Sequence, residues 1–258
     1  MNLPMFDLRG RVALITGGNS GIGLGMAEGL AQAGAAVCIW GTNPDKNAAA
    51  LERLTTHGTK VAAHVVDVGN EAAVVDGVAW VVGEFGRIDA CFANAGSAGA
   101  HTNPPFVDST LEQWRAITRV NLDGAYLVLR EAAKQMIAQG DGGSLVGTSS
   151  ISVDFGSPRE EAYAASKAGV IAMMRGLAVE LGRHRIRANA LLPGWTMSPM
   201  MEPWAAQPGV AEKILPRIPL RRWGKPEEWA GIAVYLASSA STFHTGDAIR
   251  IDGGYSVY

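Results

Sequence analysis

The chain has 258 residues, long enough for one large α/β unit or two small ones to bury a core without help from metal or disulfide. Its 22 basic and 24 acidic side chains leave a formal net charge of −2 with no run of five like charges, which argues against a dedicated nucleic-acid or anionic-membrane binder. Thirty-two glycines without a three-residue period, beside an apolar fraction of 48%, exclude collagen and disorder and imply many tight turns.

Residues 1–9 lack both the basic flank and the apolar core of a secretory leader, and no later stretch approaches the roughly 18 apolar residues of a membrane span. A soluble, cytoplasmic protein is expected. From there the apolar pattern alternates between short runs and helix-length stretches. Strands are predicted over 12–15, 36–40, 61–66 and 88–93, with helices over 22–33, 45–57 and 71–85 between them. A long helix is predicted over 111–139, then a strand over 144–148, a helix over 163–182 and a strand over 187–192. A helix over 226–238 and a strand over 248–251 complete the pattern. This β-α alternation predicts one doubly wound, Rossmann-like parallel sheet of about seven strands with helices on both faces, spanning 1–258 as a single domain. Segment 195–224 is the exception: Pro199, Pro203, Pro208, Pro216 and Pro219 forbid one long helix, and a stretch of this kind reads as a substrate loop or lid. Cys38 and Cys91 each lie inside a short apolar run and read as buried strand thiols, not a disulfide.

The first strand runs into Thr16-Gly17-Gly18-Asn19-Ser20-Gly21-Ile22-Gly23, where the next helix begins. Glycines there permit the tight turn and let the backbone approach a pyrophosphate, whose charge rests at the helix N-terminus. The spacing is G-x-x-x-G-x-G, not the G-x-G-x-x-G of most dinucleotide folds. After the second strand an acid would bond a ribose 2′-hydroxyl and an arginine a 2′-phosphate, yet Gly41-Thr42-Asn43 supplies neither. Thr42 and Asn43 are potential phosphate donors with Lys46 close behind, which leans toward NADP and leaves NAD open; Asp45 reads as a cap or first-turn acid. Asp67-Val68 ends the third strand, either as acceptor for an adenine amino group or as a helix cap. Asn94-Ala95-Gly96 ends the fourth with small residues that let a cofactor lie against the backbone, and Pro193-Gly194 ends the sixth. Beyond it, the backbone and hydroxyls of Thr196 and Ser198 suit a carboxamide.

Tyr163 and Lys167 stand four residues apart on one predicted helix, hence on one face. An adjacent ammonium favours phenolate and makes a tyrosine usable as acid or base. Ser149 and Ser150 close the fifth strand; they face opposite sides of an extended chain, and Ser150 is chosen to polarise a substrate oxygen. Asn121 supports Lys167 through a water or is simply a satisfied helical amide. The histidines form no H-E-x-x-H set and the cysteines are isolated, so no metal is expected. The absence of a G-x-S-x-G elbow argues against a serine hydrolase.

Together, T-G-x-x-x-G-I-G, N-A-G, N-x-x-G, Ser150, Y-x-x-x-K and P-G resemble the short-chain dehydrogenase/reductase family in its form of about 250 residues, from Arg11 to Gly254. The resemblance implies a nicotinamide cofactor, a catalytic set of Asn121, Ser150, Tyr163 and Lys167, and a homo-oligomer, commonly a tetramer joined through the long helices. Ser198 stands where the family often has threonine, and Ser20 where many NADP-preferring members carry a basic residue. Arg159-Glu160-Glu161 reads as a solvated loop. The expected function is NAD(P)-dependent interconversion of a secondary alcohol and a ketone. The apolar Trp195, Met197, Met200, Met201 and Trp204 point to a hydrophobic or cyclic small-molecule substrate. The alternative is a catalytically idle, cofactor-sensing regulatory protein, for which an intact tyrosine-lysine pair has no use.

Overall fold

Residues 12–16 are buried without a break, as suits a strand covered on both faces. In the computed structural model, which describes residues 3–98 and 103–258, this strand is β1 (Val12–Thr16), followed by α1 (Gly21–Gln32), β2 (Ala36–Gly41), α2 (Pro44–Thr55), β3 (Val61–Val65) and α3 (Glu71–Phe85). Then come β4 (Ala90–Ala93), α4 (Leu111–Thr118), α5 (Gly124–Gln139), β5 (Gly143–Thr148), α6 (Glu161–Leu181) and β6 (Ile186–Pro193). Two short helices, α7 (Glu202–Ala205) and α8 (Val210–Ile214), precede α9 (Ala230–Ala237) and β7 (Ala248–Ile251). All pairings are parallel, in the order β3-β2-β1-β4-β5-β6-β7.

Alternation along β1 divides the core. Leu14 joins α3, α5 and α6 on one face, while Ala13 and Ile15 join α1 and α9 on the other. The strand order reverses between β1 and β4, so the loops leaving their C-terminal ends diverge and open a crevice there. That crevice is where the glycine loop and Asn94-Ala95-Gly96 meet.

Three elements depart from the sequence reading for identifiable reasons. The fourth strand starts at Ala90 because the buried Asp89 carboxylate takes the Val12 amide (2.8 Å) and is held by Arg87 (2.7 Å) and Arg11 (3.0 Å). The helix expected over 111–139 is split by a π turn, Arg119–Asp123, which contains Asn121. Such widened turns recur at functional sites, and the apolar pattern passes through this one unchanged. The proline-rich stretch after β6 is not featureless: it holds α7, α8 and the 3-10 turn Leu215–Arg217. Its two ends are pinned together, since Thr196 bridges Gly224, Met197 N donates to Gly224 O and Gly224 N to Trp195 O, both at 2.9 Å.

Leu14 stands in register with Cys38 on one side and Cys91 on the other, so both thiols are separate as well as buried, and burial pushes each up to about 12. Among the described residues no helix is long and apolar enough to cross a membrane, and no three metal-ligating side chains gather.

Candidate active site

A cleft of about 1150 Å³ runs along the C-terminal edge of the sheet. It is lined by every candidate catalytic and cofactor residue read from the sequence except Gly18 and Asn121, and by every member of the apolar substrate set except Met197. Gly18 lies behind the loop, where a Cβ would fall 2.6 Å from Ile39 Cγ2.

At one end the glycine loop is drawn tight. Gly17 and Gly21 have φ of +64° and +52°, and a Cβ on Gly23 would lie 2.2 Å from the Gly17 carbonyl, so α1 can begin this close to β1 only with glycine there. Ser20 caps α1 without a side-chain bond, which leaves its hydroxyl and the first-turn amides for an anion. Thr16 and Asn94 hold the loop from below. The Thr16 hydroxyl accepts from the amides of Asn94 and Ala95 (both 3.0 Å), and Asn94 Nδ2 donates to the Thr16 carbonyl (3.0 Å). Asn94 is thus a brace between strands as well as cleft wall, and Thr16, which opens the glycine motif in the sequence, ties the loop to it.

Beyond β2, Thr42, Asn43 and Lys46 line the cleft with no carboxylate beside them in sequence except Asp45, a first-turn acid of α2. Asn43 caps that helix by accepting from Lys46 N (2.9 Å). Asn19 Nδ2 donates to Asn47 Oδ1 (2.7 Å), and Asn47 donates to Gly41 O (3.0 Å), so the loop and the end of β2 are one unit. A Cβ on Gly41 would fall 2.1 Å from Asn19 Nδ2. Asp67 accepts from Gly69 N and from Arg119 Nη1, both at 2.9 Å, while Asn70 caps α3. Burial works to raise the Asp67 pKa, but Arg119 and the Gly69 amide together bring it below the usual value. Arg119 and Val68 line the same wall; the Asp67–Arg119 pair was invisible in the sequence because its members lie 52 residues apart.

At the chemical end, Ser150, Tyr163 and Lys167 face the cleft together. Ser149 is committed elsewhere, its hydroxyl donating to Lys167 O (2.8 Å). Lys167 is buried and donates through Nζ to Thr148 O (2.8 Å), with Nζ 5.6 Å from the Tyr163 ring centroid. Burial lowers the Lys167 pKa to about 8. The phenol is half-buried in a densely lined wall. Burial raises its pKa, hydrogen bonding to Ser150 lowers it, and the charge of Glu160 raises it again, with a net upward direction. The net direction favours the protonated, donor form of the phenol. Asn121 sits just behind: Oδ1 accepts from Ser97 N (2.7 Å), and Nδ2 donates to Ser97 O (2.9 Å) and Ser166 Oγ (3.2 Å). Ser166 in turn donates to Tyr163 O (2.7 Å), so this amide braces the helix that carries the tyrosine.

The remaining wall is aromatic and charged. Trp195 stacks on Trp204 (4.9 Å between centroids, 10°) and meets Tyr255 edge-on (5.8 Å); Phe155 does the same from the other side (5.5 Å). Pro193, Gly194, Thr196 and Ser198 also line the cleft, and the Ser198 hydroxyl accepts from Met201 N (3.3 Å). Glu160 and Arg217 also line this end, although the sequence reading placed Glu160 in a solvated loop and passed over Arg217 and Tyr255. The loop from Gly96 to Phe106, a second candidate for substrate selection, lies partly outside the described residues.

A family model described as enoyl-(acyl carrier protein) reductase matches residues 17–256. An L-rhamnose 1-dehydrogenase (NAD(P)(+)) of Sphingomonas sp. (strain SKA58) is 38% identical over 251 residues, which cover 97% of this chain and 98% of that protein. Among solved structures, a short-chain type dehydrogenase/reductase from Mycobacterium marinum aligns with a TM-score of 0.92 at 36% identity over 97% of both chains. A gluconate 5-dehydrogenase from Burkholderia cenocepacia J2315, in complex with NADP and tartrate, aligns with a TM-score of 0.91 at 34% identity over 98% of both.

Proposed function

Because the chain belongs to the short-chain dehydrogenase/reductase family, we propose that it interconverts a secondary alcohol and a ketone with NADP or NAD, using Tyr163 as the proton-transferring group. The observation that carries this reading is the convergence of Ser150, Tyr163 and Lys167 on one cleft beside the glycine loop.

A nicotinamide dinucleotide fits the chain by its own geometry: the tight Gly17–Gly23 approach, the uncapped start of α1 and the length of the cleft suit a pyrophosphate and the groups on either side of it. Bound there, it supplies or accepts the hydride. Gly17, Ser20, Gly21, Ile22 and Gly23 would hold the pyrophosphate, Asp67 and Val68 the adenine, and Thr196 and Ser198 the carboxamide. Thr42, Asn43 and Lys46 favour a 2′-phosphate by charge, a lean toward NADP that leaves NAD usable.

In the reducing direction the protonated phenol of Tyr163 donates to the carbonyl oxygen, and Ser150 holds that oxygen by a second hydrogen bond. Lys167 keeps positive charge behind the phenol and stabilises phenolate as the proton leaves. Asn121 positions Tyr163 through Ser166. The aromatic wall of Trp195, Trp204 and Tyr255 suits the C–H face of a cyclic substrate, while Glu160 and Arg217 add polar contacts that a purely apolar one would not use. Residues 1–258 act as one cofactor-binding domain, with 195–224 as its substrate lid, in a cytoplasmic homo-oligomer.

Nicotinamide absorbance with a panel of cyclic, hydrophobic and polyhydroxylated alcohols and ketones, run with both cofactors, tests the reading. Turnover that needs Tyr163 supports it; cofactor binding without turnover on any member would favour the regulatory alternative.

A further inference from the structure

Arg217 ends the 3-10 turn Leu215–Arg217 at the aromatic end of the cleft. Its guanidinium carbon lies 4.6 Å from the centroid of Tyr255, a ring that is itself buried and gripped edge-on by Trp195 and Phe155. The contact fixes the arginine over a rigid platform and consumes none of its five N–H donors. Arg119, elsewhere on the cleft wall, is paired with Asp67 at 2.9 Å, and the neighbouring Asp154 is taken by Arg250. Among the described residues Arg217 has no carboxylate partner and donates no hydrogen bond.

We propose that Arg217 is the anchor of an anion subsite that receives a carboxylate carried by the substrate, so that the substrate is a hydroxy acid and the product its keto form. A guanidinium fork matches a carboxylate with two parallel hydrogen bonds, and its stacking on the Tyr255 ring holds that fork in place. Glu160 completes the orientation. It lines the cleft close enough to Tyr163 to act on the phenol, so it repels a carboxylate from that side and leaves the carbinol facing Tyr163 and Ser150. The two unlike charges therefore read the two ends of one molecule. This inference rests on the oxidoreductase reading only for the fate of the carbinol; the anion subsite itself is a binding claim.

Calorimetric titration of the cofactor-loaded protein with four- to six-carbon hydroxy acids, tartrate and gluconate among them, each beside its uncharged amide, tests it. Wild type should bind the best acid at least about tenfold more tightly than its amide, the scale of one charge-assisted pair. In Arg217→Met that gap should collapse to less than about twofold, and Arg217→Lys should restore part of it. Unchanged thermal unfolding of both variants guards against a folding defect, since Arg217 is exposed. Equal binding of acid and amide by wild type, a gap that survives in Arg217→Met, or inorganic phosphate competing as well as the best acid would each overturn the carboxylate assignment. An Arg217-dependent gap without turnover of any alcohol would uphold the subsite and remove the oxidoreductase reading. Turnover of neutral alcohols without such a gap would do the reverse.

Discussion

The Lys167 ammonium donates to the backbone carbonyl of Thr148 at 2.8 Å, so the cation that faces Tyr163 is hung from the end of β5 and not from another side chain. Among the described residues no carboxylate pairs with it, and burial lowers its pKa to about 8 from an ordinary value of 10.5. Below pH 8 both folded and unfolded chains hold this proton, and the folded chain bears the full desolvation penalty; the penalty is relieved as pH rises toward the unfolded value. Relative to Lys167→Met, wild type should therefore gain about 2 kcal/mol of stability between pH 7 and 9.5, a window below the titration of the raised Tyr163 phenol. Urea unfolding of both proteins at the two pH values measures it. A constant difference would mean that Lys167 is solvated by water reaching it through the cleft.

Tyr163→Phe should reduce turnover by roughly 10² to 10⁴-fold, the usual scale for loss of a general acid, with cofactor affinity nearly unchanged. Because burial holds the phenol in its protonated form, reduction should persist across neutral pH, while oxidation, which needs phenolate, should climb into the alkaline range. Steady-state rates in both directions check this. More than a tenth of wild-type turnover in the variant would reassign the proton to another donor.

The charge around a ribose 2′ position can be altered at Thr42 but not at Gly41. A side chain on Gly41 would press a Cβ to 2.1 Å from Asn19 Nδ2 and disrupt the bond from Asn19 to Asn47, so Gly41→Asp should weaken both cofactors together. Thr42→Asp, on the exposed side of the turn, should move the ratio of NADPH to NADH affinities by about tenfold or more toward NADH through repulsion of the 2′-phosphate. Fluorescence titration of both cofactors into all three proteins separates the cases, and an unmoved ratio in Thr42→Asp would place 2′ recognition elsewhere.

Within 195–224, the pinned pairs at Thr196–Gly224 and Trp195–Gly224 should be protected from hydrogen exchange whether or not ligands are bound. The amides of α7 and α8 should gain protection only with cofactor and a substrate analogue together, as expected of a lid that moves from fixed ends. Equal exchange of α7 and α8 in both states would make the segment a fixed wall.

The features that the sequence made legible were those with local periodicity. Alternating strands and helices gave the sheet, G-x-x-x-G-x-G gave the start of α1, and Tyr163 with Lys167 gave a shared helix face. What escaped is set by distant neighbours. Asp67 and Arg119, 52 residues apart, pair at 2.9 Å where a π turn starts within a helix whose apolar pattern is continuous. Tyr255 reaches the cleft from the chain end beyond β7, and Asp89 shortens β4 by capturing the Val12 amide, 77 residues away. Glu160 carried no signal because charged residues before a helix ordinarily face solvent; here the turn that starts α6 faces the cleft.

Leu14, in register between Cys38 and Cys91, has a practical result. Both native sulfurs are sealed in the sheet and stay protonated at any working pH, so they are inert toward maleimides and iodoacetamides while the protein is folded. A single cysteine introduced at an exposed position near the cleft mouth can therefore carry a spin label or fluorophore without first stripping the wild-type thiols. Distances to the 195–224 segment and the kinetics of any movement in it then become measurable in an otherwise unaltered chain.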